Sequence, residues 1–247
     1  MKCPGQDSRY WKPDDVFDVP CPACGEPVEF FKGDLLRRCP GCGYRFRNPN
    51  FDLGCAEWCA HAAECLGLVA QVPQTSPAEG RLVSRLIEAV KREFGADQKR
   101  IAHALAVLAR AEEILPSQQA DPRIVLAAAL LHDIGIQEAE RKHGSSAPQY
   151  QELEGPPIAR RILQPMGLDE ATVDHICRIV GSHHSARDID TPEFRVIWDA
   201  DWLVNLPDEF PDAGPDRLRE LSERLFKTEA GRKRAAQLFV NRVAGGA

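Results

Sequence analysis

The sequence predicts a mainly α-helical body preceded by a small cysteine-rich β module. Three observations carry this expectation. Beyond residue 79, apolar residues recur at helical spacing, as in Leu82, Leu86, Ile87 and Val90. Eight of the nine cysteines fall in the first 65 residues, and only Cys177 lies beyond. Between the two regions, residues 71–77 form a polar, proline-containing connector. The expected organisation is therefore a module over 1–70, a linker over 71–78 and a helical domain over 79–247.

At 247 residues the chain can bury a substantial core. Its 43% hydrophobic and 28% charged content is ordinary for a globular protein in water. A net charge of −6 disfavours broad attraction to nucleic acid or acidic membranes. No run of about 18 apolar residues occurs, and the N-terminus has no apolar signal core, so a cytoplasmic protein without membrane contact is expected. In that reducing compartment the clustered cysteines read as metal ligands, not disulfides.

Within the module, Cys21-Pro22-Ala23-Cys24 and Cys39-Pro40-Gly41-Cys42 are two C-x-x-C knuckles, each followed by glycine (Gly25, Gly43). Glycine there suits a tight turn whose N–H groups point at thiolate sulfurs. Between the knuckles, residues 28–31 and 35–38 read as short strands, with 32–34 as the turn. Four thiolates at these spacings satisfy tetrahedral zinc. The segment at about 19–48 resembles a zinc ribbon, which implies structural Zn held by Cys21, Cys24, Cys39 and Cys42. Arg37, Arg38, Arg45 and Arg47 interleave with Phe30, Phe31, Tyr44 and Phe46. That pattern reads as a packed mini-core with a solvated basic face, or as a nucleic-acid surface. A second cluster, Cys55, Cys59 and Cys65 with Cys3 upstream, could form another four-thiolate site for zinc or an iron–sulfur cluster, or could be buried thiols.

In the helical body, Asp97 caps a helix carrying Ile101, His103, Leu105 and Leu108. Asp121 and Pro122 then start a helix that is apolar on nearly every face, and so is buried. It runs into Leu131-His132-Asp133-Ile134-Gly135, where Gly135 fits a left-handed C-cap. An imidazole and a carboxylate side by side at the end of a buried helix are costly without partners, and a divalent cation is one such partner. Residues 137–149 read as a polar loop over the site. Pro156 and Pro157 open the next helix, with Glu152 and Glu154 just before it. Asp169 caps a helix that runs into Gly181-Ser182-His183-His184. Thr191-Pro192 starts the helix bearing Asp199 and Asp201, and the tail reads as two amphipathic helices with Arg232, Lys233 and Arg234 on a solvated face.

The order His103, His132-Asp133, Asp201 resembles the HD superfamily of metal-dependent phosphohydrolases over about residues 80–205. The resemblance implies an HD-type all-α domain. It implies a divalent metal (Mn, Fe, Mg, Zn or Co) on His103, His132, Asp133 and Asp201, with Asp199 orienting a ligand histidine. It also implies hydrolysis of a nucleotide or other small phosphate ester by metal-activated water, with Asp133, His183 and His184 as catalytic groups and Arg187 beside them. Relatives with two metals carry a further histidine between the doublet and the final aspartate. Here His143, Glu152 or Glu154 could substitute, so a second site would draw on Glu154, His183 and His184. Some relatives place a lysine soon after the doublet; here Ile136 and Gln137 follow Gly135, and Lys142 is the nearest candidate. Two alternatives stand beside the hydrolase: a di-iron oxygenase on the same fold, and a non-catalytic nucleotide sensor whose ribbon engages a protein or nucleic acid.

Overall fold

The computed structural model describes residues 12–22, 24–41, 43–51 and 76–240. Cys3, Cys42, Cys55, Cys59 and Cys65 lie outside the described residues, as does most of the expected linker. The chain divides into two compact units, Met1–Glu88 and Ala89–Ala247.

The first unit contains strands β1 (Val16–Pro20), β2 (Pro27–Phe31), β3 (Leu36–Arg38) and β4 (Arg45–Arg47). β1 pairs antiparallel with β2, from Val16 opposite Phe31 to Pro20 opposite Pro27. β3 pairs with β4, from Leu36 opposite Arg47 to Arg38 opposite Arg45. Strands 28–31 and 35–38 thus form close to where the sequence put them, but not as each other's hairpin. The connection closing each hairpin starts at the first cysteine of a knuckle, Cys21 or Cys39, and backbone groups are satisfied in the same way twice. Gly25 N–H donates to Cys21 O at 2.8 Å and Gly43 N–H to Cys39 O at 2.9 Å. Cys21 N–H donates to Glu26 O and Cys39 N–H to Tyr44 O, both at 2.8 Å. Both glycines take positive φ (80° and 76°), which an L side chain would strain. Phe30, Tyr44, Phe46 and Val28 form the mini-core, with Phe17 and Val19 packed on it.

Helix α1 (Pro77–Phe94) runs across the division between the units. Its first turns pack on the small β module: a Cβ on Gly80 would lie 2.7 Å from the Tyr44 ring. The second unit is helical. It comprises α2 (Gln98–Ile114), α3 (Pro122–Leu131), α4 (Ile136–His143), α5 (Pro148–Leu163), α6 (Glu170–Val180), α7 (Pro192–Glu209), α8 (Pro215–Leu225) and α9 (Glu229–Ala235). The expected caps are present: Asp97, Asp121, Asp169 and Thr191 each accept a bond from a backbone N–H of the first turn. α3 is the central element. Ile124 through Leu131 are all buried, and α3 packs on α2, α6 and α7 together. No helix among the described residues is long and apolar enough to cross a membrane.

Three local expectations are corrected. The stretch 137–149 is largely helix α4, whose polar residues pair along the helix, as Glu138 does with Arg141. Pro156 and Pro157 sit inside α5, which begins instead at Pro148. Their missing N–H groups release the carbonyls of Glu152 and Leu153, and Leu153 is 60% exposed to water. Gly135 is right-handed (φ −81°) and precedes α4. Glycine is needed there for proximity: a Cβ would lie 2.5 Å from Gly155 N and 2.6 Å from Gln151 O. Gly155 in turn leaves room for Val180, whose Cγ1 a Cβ would approach to 2.7 Å.

The Gly135 contact is backbone against backbone, so neither side can yield. Gly135→Ala should therefore cost about 2–3 kcal/mol in denaturant unfolding, the overpacking range. Gly214→Ala, at the N-cap of α8 but with open space around it, should cost less, at most about 1 kcal/mol.

Candidate metal centre

Four side chains from two helices and one interhelical turn meet beside the end of α3. His103 comes from α2, His132 and Asp133 from the turn after α3, and Asp201 from α7. His103 Nε2 lies 3.2 Å from His132 Nε2, 3.6 Å from Asp133 Oδ2 and 3.3 Å from Asp201 Oδ1. His132 Nε2 lies 3.5 Å from Asp133 Oδ2 and 3.6 Å from Asp201 Oδ1. His132 is buried, and the other three side chains are 16–22% exposed. One edge of the cluster therefore faces solvent.

The orientation of these rings matters as much as their distance. His132 Nδ1 stands 2.9 Å from Ala129 O, a carbonyl that can only accept. Nδ1 therefore carries the proton, and in the neutral ring Nε2 turns a lone pair toward the carboxylates. Electron-rich atoms facing one another this closely repel unless something positive lies between them. Ligands about 2.1 Å from one ion stand about 3.0–3.4 Å apart at octahedral or tetrahedral angles. The donor set and its spacing thus fit a divalent cation. Without an ion a proton fills the role. Burial alone would push His132 down, but Asp133 and Asp201 override it and hold its pKa well above the ordinary imidazole value. Burial likewise opposes ionisation of Asp133, yet His132 and His183 hold it well below the usual carboxylate range. Asp201 is lowered in the same way, against burial, by His103 and His132.

Asp133 faces two ways. Its Oδ1 lies 3.3 Å from His183 Nε2, and His183 Nδ1 is 2.7 Å from Val180 O, which fixes that ring as Ala129 fixes His132. Asp133, His183 and His184 form a second group of potential ligands. The His184 ring lies 3.9 Å from that of His183, and its pKa is pushed down to about 4 by burial and by the His183 charge.

Sequence reasoning missed the residues that hold this arrangement. Glu152 Oε1 accepts from His184 N at 3.0 Å and from Ser185 N at 2.7 Å, tying the histidine turn to α5. The same turn contains Ala186 and Asp188 at positive φ (53° and 55°), a strain that the surrounding bonds must hold. Gln151 Oε1 lies 3.4 Å from His184 Nε2, and Asn205 Nδ2 donates to Asp201 Oδ1 at 2.8 Å. Only Asn205 left a signal, being four residues after Asp201 on one helix face.

Other candidates lie elsewhere. Asp199 does not orient a histidine. It is buried and accepts from Lys227 N, Thr228 N and Thr228 Oγ1 at 2.6–2.8 Å, pinning α9, and burial raises its pKa. Glu154 pairs with Lys142 at 2.6 Å and His143 at 3.0 Å, so its carboxylate joins neither ligand group. Lys142 is committed to Glu138 and Glu154, and Arg187 is exposed. In the small β module, the sulfurs of Cys21, Cys24 and Cys39 come together, with Cys24 and Cys39 3.6 Å apart. The arginines of that hairpin are partly engaged locally: Arg37 bonds Asp34 and lies over Phe31, and Arg38 donates to Gly43 O.

The charge pattern has a pH consequence. His132 is raised above its unfolded value near 6.5, so its stabilisation of the ion-free fold is full below that pH and is lost as pH rises through the raised folded value. A cation competes with that proton for Nε2. Stabilisation by added Mn²⁺ should therefore grow between about pH 6 and pH 8, with affinity rising about tenfold per unit while one proton is displaced. Thermal melts with and without Mn²⁺ across that range check it, and a flat or falling Mn²⁺ effect contradicts it.

Residues 100–206 match the family model for the HD domain. Among solved structures, the chain is similar to the crystal structure of a predicted HD superfamily hydrolase from an uncultured Thermotogales bacterium. The identity is 25%, over 65% of this chain and 86% of that one, with a TM-score of 0.49. No curated protein matches. The stretch that brings His103, His132, Asp133 and Asp201 to one point is thus the one that matches the HD-domain model, over residues 100–206 of this chain.

Proposed function

We propose that the chain is a metal-dependent phosphohydrolase acting on a small phosphate ester. One observation carries the reading. An HD domain presents two imidazoles and two carboxylates toward a common point, with the His183-His184 turn beside them. His103, His132, Asp133 and Asp201 would hold the cation. Bound there, a divalent ion supplies Lewis acidity: it lowers the pKa of water and polarises a phosphoryl oxygen. The chain's own groups do the rest. The Ala129 and Val180 carbonyls keep two Nε2 atoms aimed inward. Asp133 links His132 to His183 and keeps the two rings in register. His183 stands where it can pass a proton to the departing oxygen, and His184, kept neutral by its burial, where a ring N–H can hold the phosphoryl group. In the net reaction, water oxygen bonds to phosphorus and the P–O ester bond breaks. The electron pair leaves with the alcohol oxygen, which takes up a proton.

For the ribbon, the convergence of Cys21, Cys24 and Cys39 supports structural zinc, with Cys42 at the matching place in the second knuckle. A mini-core this small gains from a metal staple. A di-iron oxygenase is the second reading. It is favoured by Asp133, which belongs to both ligand groups and could bridge two ions.

Removing the Asp133 carboxylate separates these possibilities. Asp133→Ala should lose phosphate release from a panel of phosphate esters with Mn²⁺ by at least about a thousandfold. It should also lose the ion of the helical domain while keeping zinc near one per chain and its helical circular dichroism. A wild type as silent as the mutant contradicts the hydrolase. A coupled iron pair in anaerobically purified protein favours the oxygenase.

A further inference from the structure

A groove of about 440 Å³ runs along the seam between α2 and α7, outside the cluster of metal ligands. Ala106, Ala109 and Arg110 of α2 face Leu203, Val204 and Pro207 of α7 across it. The two alanines leave the gap, because a methyl group cannot reach across to α7. Leu238 and Phe239 complete the lining from a π-helical turn, Ala236–Val240, just after α9. Such turns are rare and recur at functional sites. Phe239 also packs on the cluster of Leu206, Leu218 and Leu221, which anchors its ring. The volume falls in the range of small-molecule sites. It gives room for about fifteen water-sized groups, enough for an acyl chain of about eight to ten carbons.

The charge at this groove selects the kind of ligand. Among the described residues that line it, Arg110 is the one charged group and the rest are apolar. Arg110 Nη1 donates to both oxygens of Glu113, at 3.0 and 2.9 Å. The same carboxylate accepts from Arg234 Nε at 2.8 Å. Two guanidiniums thus share one carboxylate, and one positive charge is left over. Arg110 keeps its Nε and Nη2 donors, a fork that matches a second carboxylate. A phosphate dianion would find too little charge here. A sugar or a base would find no polar side chain along the walls.

The groove shares its helices with the metal centre. His103, Ala106 and Arg110 are spaced three and four residues apart, on one stripe of α2. Leu203 and Val204 follow Asp201 closely on α7. The seam that forms the groove therefore also sets His103 Nε2 3.3 Å from Asp201 Oδ1. From His103 to Arg110, at about 1.5 Å per residue, the charged end of the groove lies about 10 Å along α2 from the centre. Groove and converged ligands exist in the same conformation, so an occupant of the groove favours the geometry that a cation needs.

We propose that this groove binds an apolar molecule ending in a single carboxylate, of the medium-chain fatty-acid kind, and that the bound acid tightens the metal centre. The binding stands apart from the hydrolase reading. The tightening rests on one part of it, a cation held by His103, His132, Asp133 and Asp201.

The test uses the full chain and three ligands with the same tail: octanoate, 1-octanol and octylamine. Calorimetry should give one site for octanoate, at least about tenfold tighter than the alcohol, the worth of a charge-assisted pair. Arg110→Gln should bring octanoate down to the level of the alcohol. Val204→Trp, which fills the groove, should weaken both by at least about tenfold. Both variants should keep the wild-type helical circular dichroism. Saturating octanoate should tighten Mn²⁺ about fivefold, and Mn²⁺ should tighten octanoate by the same factor. Equal or better binding of the alcohol or the amine, or octanoate binding unmoved by Arg110→Gln, overturns the site. A dimer in sedimentation that Val204→Trp breaks and octanoate does not also overturns it, since the groove then belongs to a second copy. Octanoate bound with Mn²⁺ affinity unchanged overturns the link to the metal centre. None of these readouts uses turnover, so each can fail while phosphate release stands.

Discussion

The second unit is built around an electrostatic problem: inward-facing lone pairs that cannot coexist without positive charge among them. His132 cannot turn its protonated nitrogen inward, because Ala129 O holds that nitrogen at 2.9 Å. His183 is held the same way by Val180 O at 2.7 Å. Both carbonyls lie near the ends of helices, where such groups lack a helical donor, so the helix ends themselves fix the tautomers. Asp133 and Asp201 then face nitrogen lone pairs, and either a proton or a cation must resolve the contact. That requirement is the reason a core made mainly of leucine, isoleucine, valine and alanine tolerates this cluster.

Several features keep the cluster from relaxing. α3 is buried along its length and cannot shift without disturbing α2, α6 and α7. Gly135 and Gly155 let the turn after α3 press against α5. Glu152, on α5, then grips the turn that carries His183 and His184. One helix thus braces both halves of the centre. On the far side Asp199 faces away from the metal cluster, and a Cβ on Gly231 would collide with its carboxylate, so α9 docks closely there. Two aspartates two residues apart on α7 serve opposite sides of the helix, one at the site and one in the scaffold.

Much of this was legible in the sequence, for identifiable reasons. The central helix announced itself by apolar residues on every face, and its start by Asp121 and Pro122, both local signals. The knuckles and their glycines were equally local. What failed were judgements that depend on partners. Gly135 looked like a cap because glycine after a helix usually is one, whereas its role is set by Gly155, twenty residues away. Pro156 and Pro157 looked like a helix start, but packing between α4 and α6 carries the helix through them. The strand partners were mispaired because the knuckle turns, not the 32–34 turn, close the hairpins. Glu152 gave no sign of its role, since its bonds go to backbone N–H groups more than thirty residues away.

The central claim is that His103, His132, Asp133 and Asp201 share one cation. Anomalous diffraction at the manganese edge, from crystals of the full chain grown with Mn²⁺, tests it most directly. The account predicts a peak within bonding distance of both imidazole Nε2 atoms and of an oxygen from each carboxylate. A peak that touches only one or two of the four, or manganese bound elsewhere while this point stays empty, would contradict it.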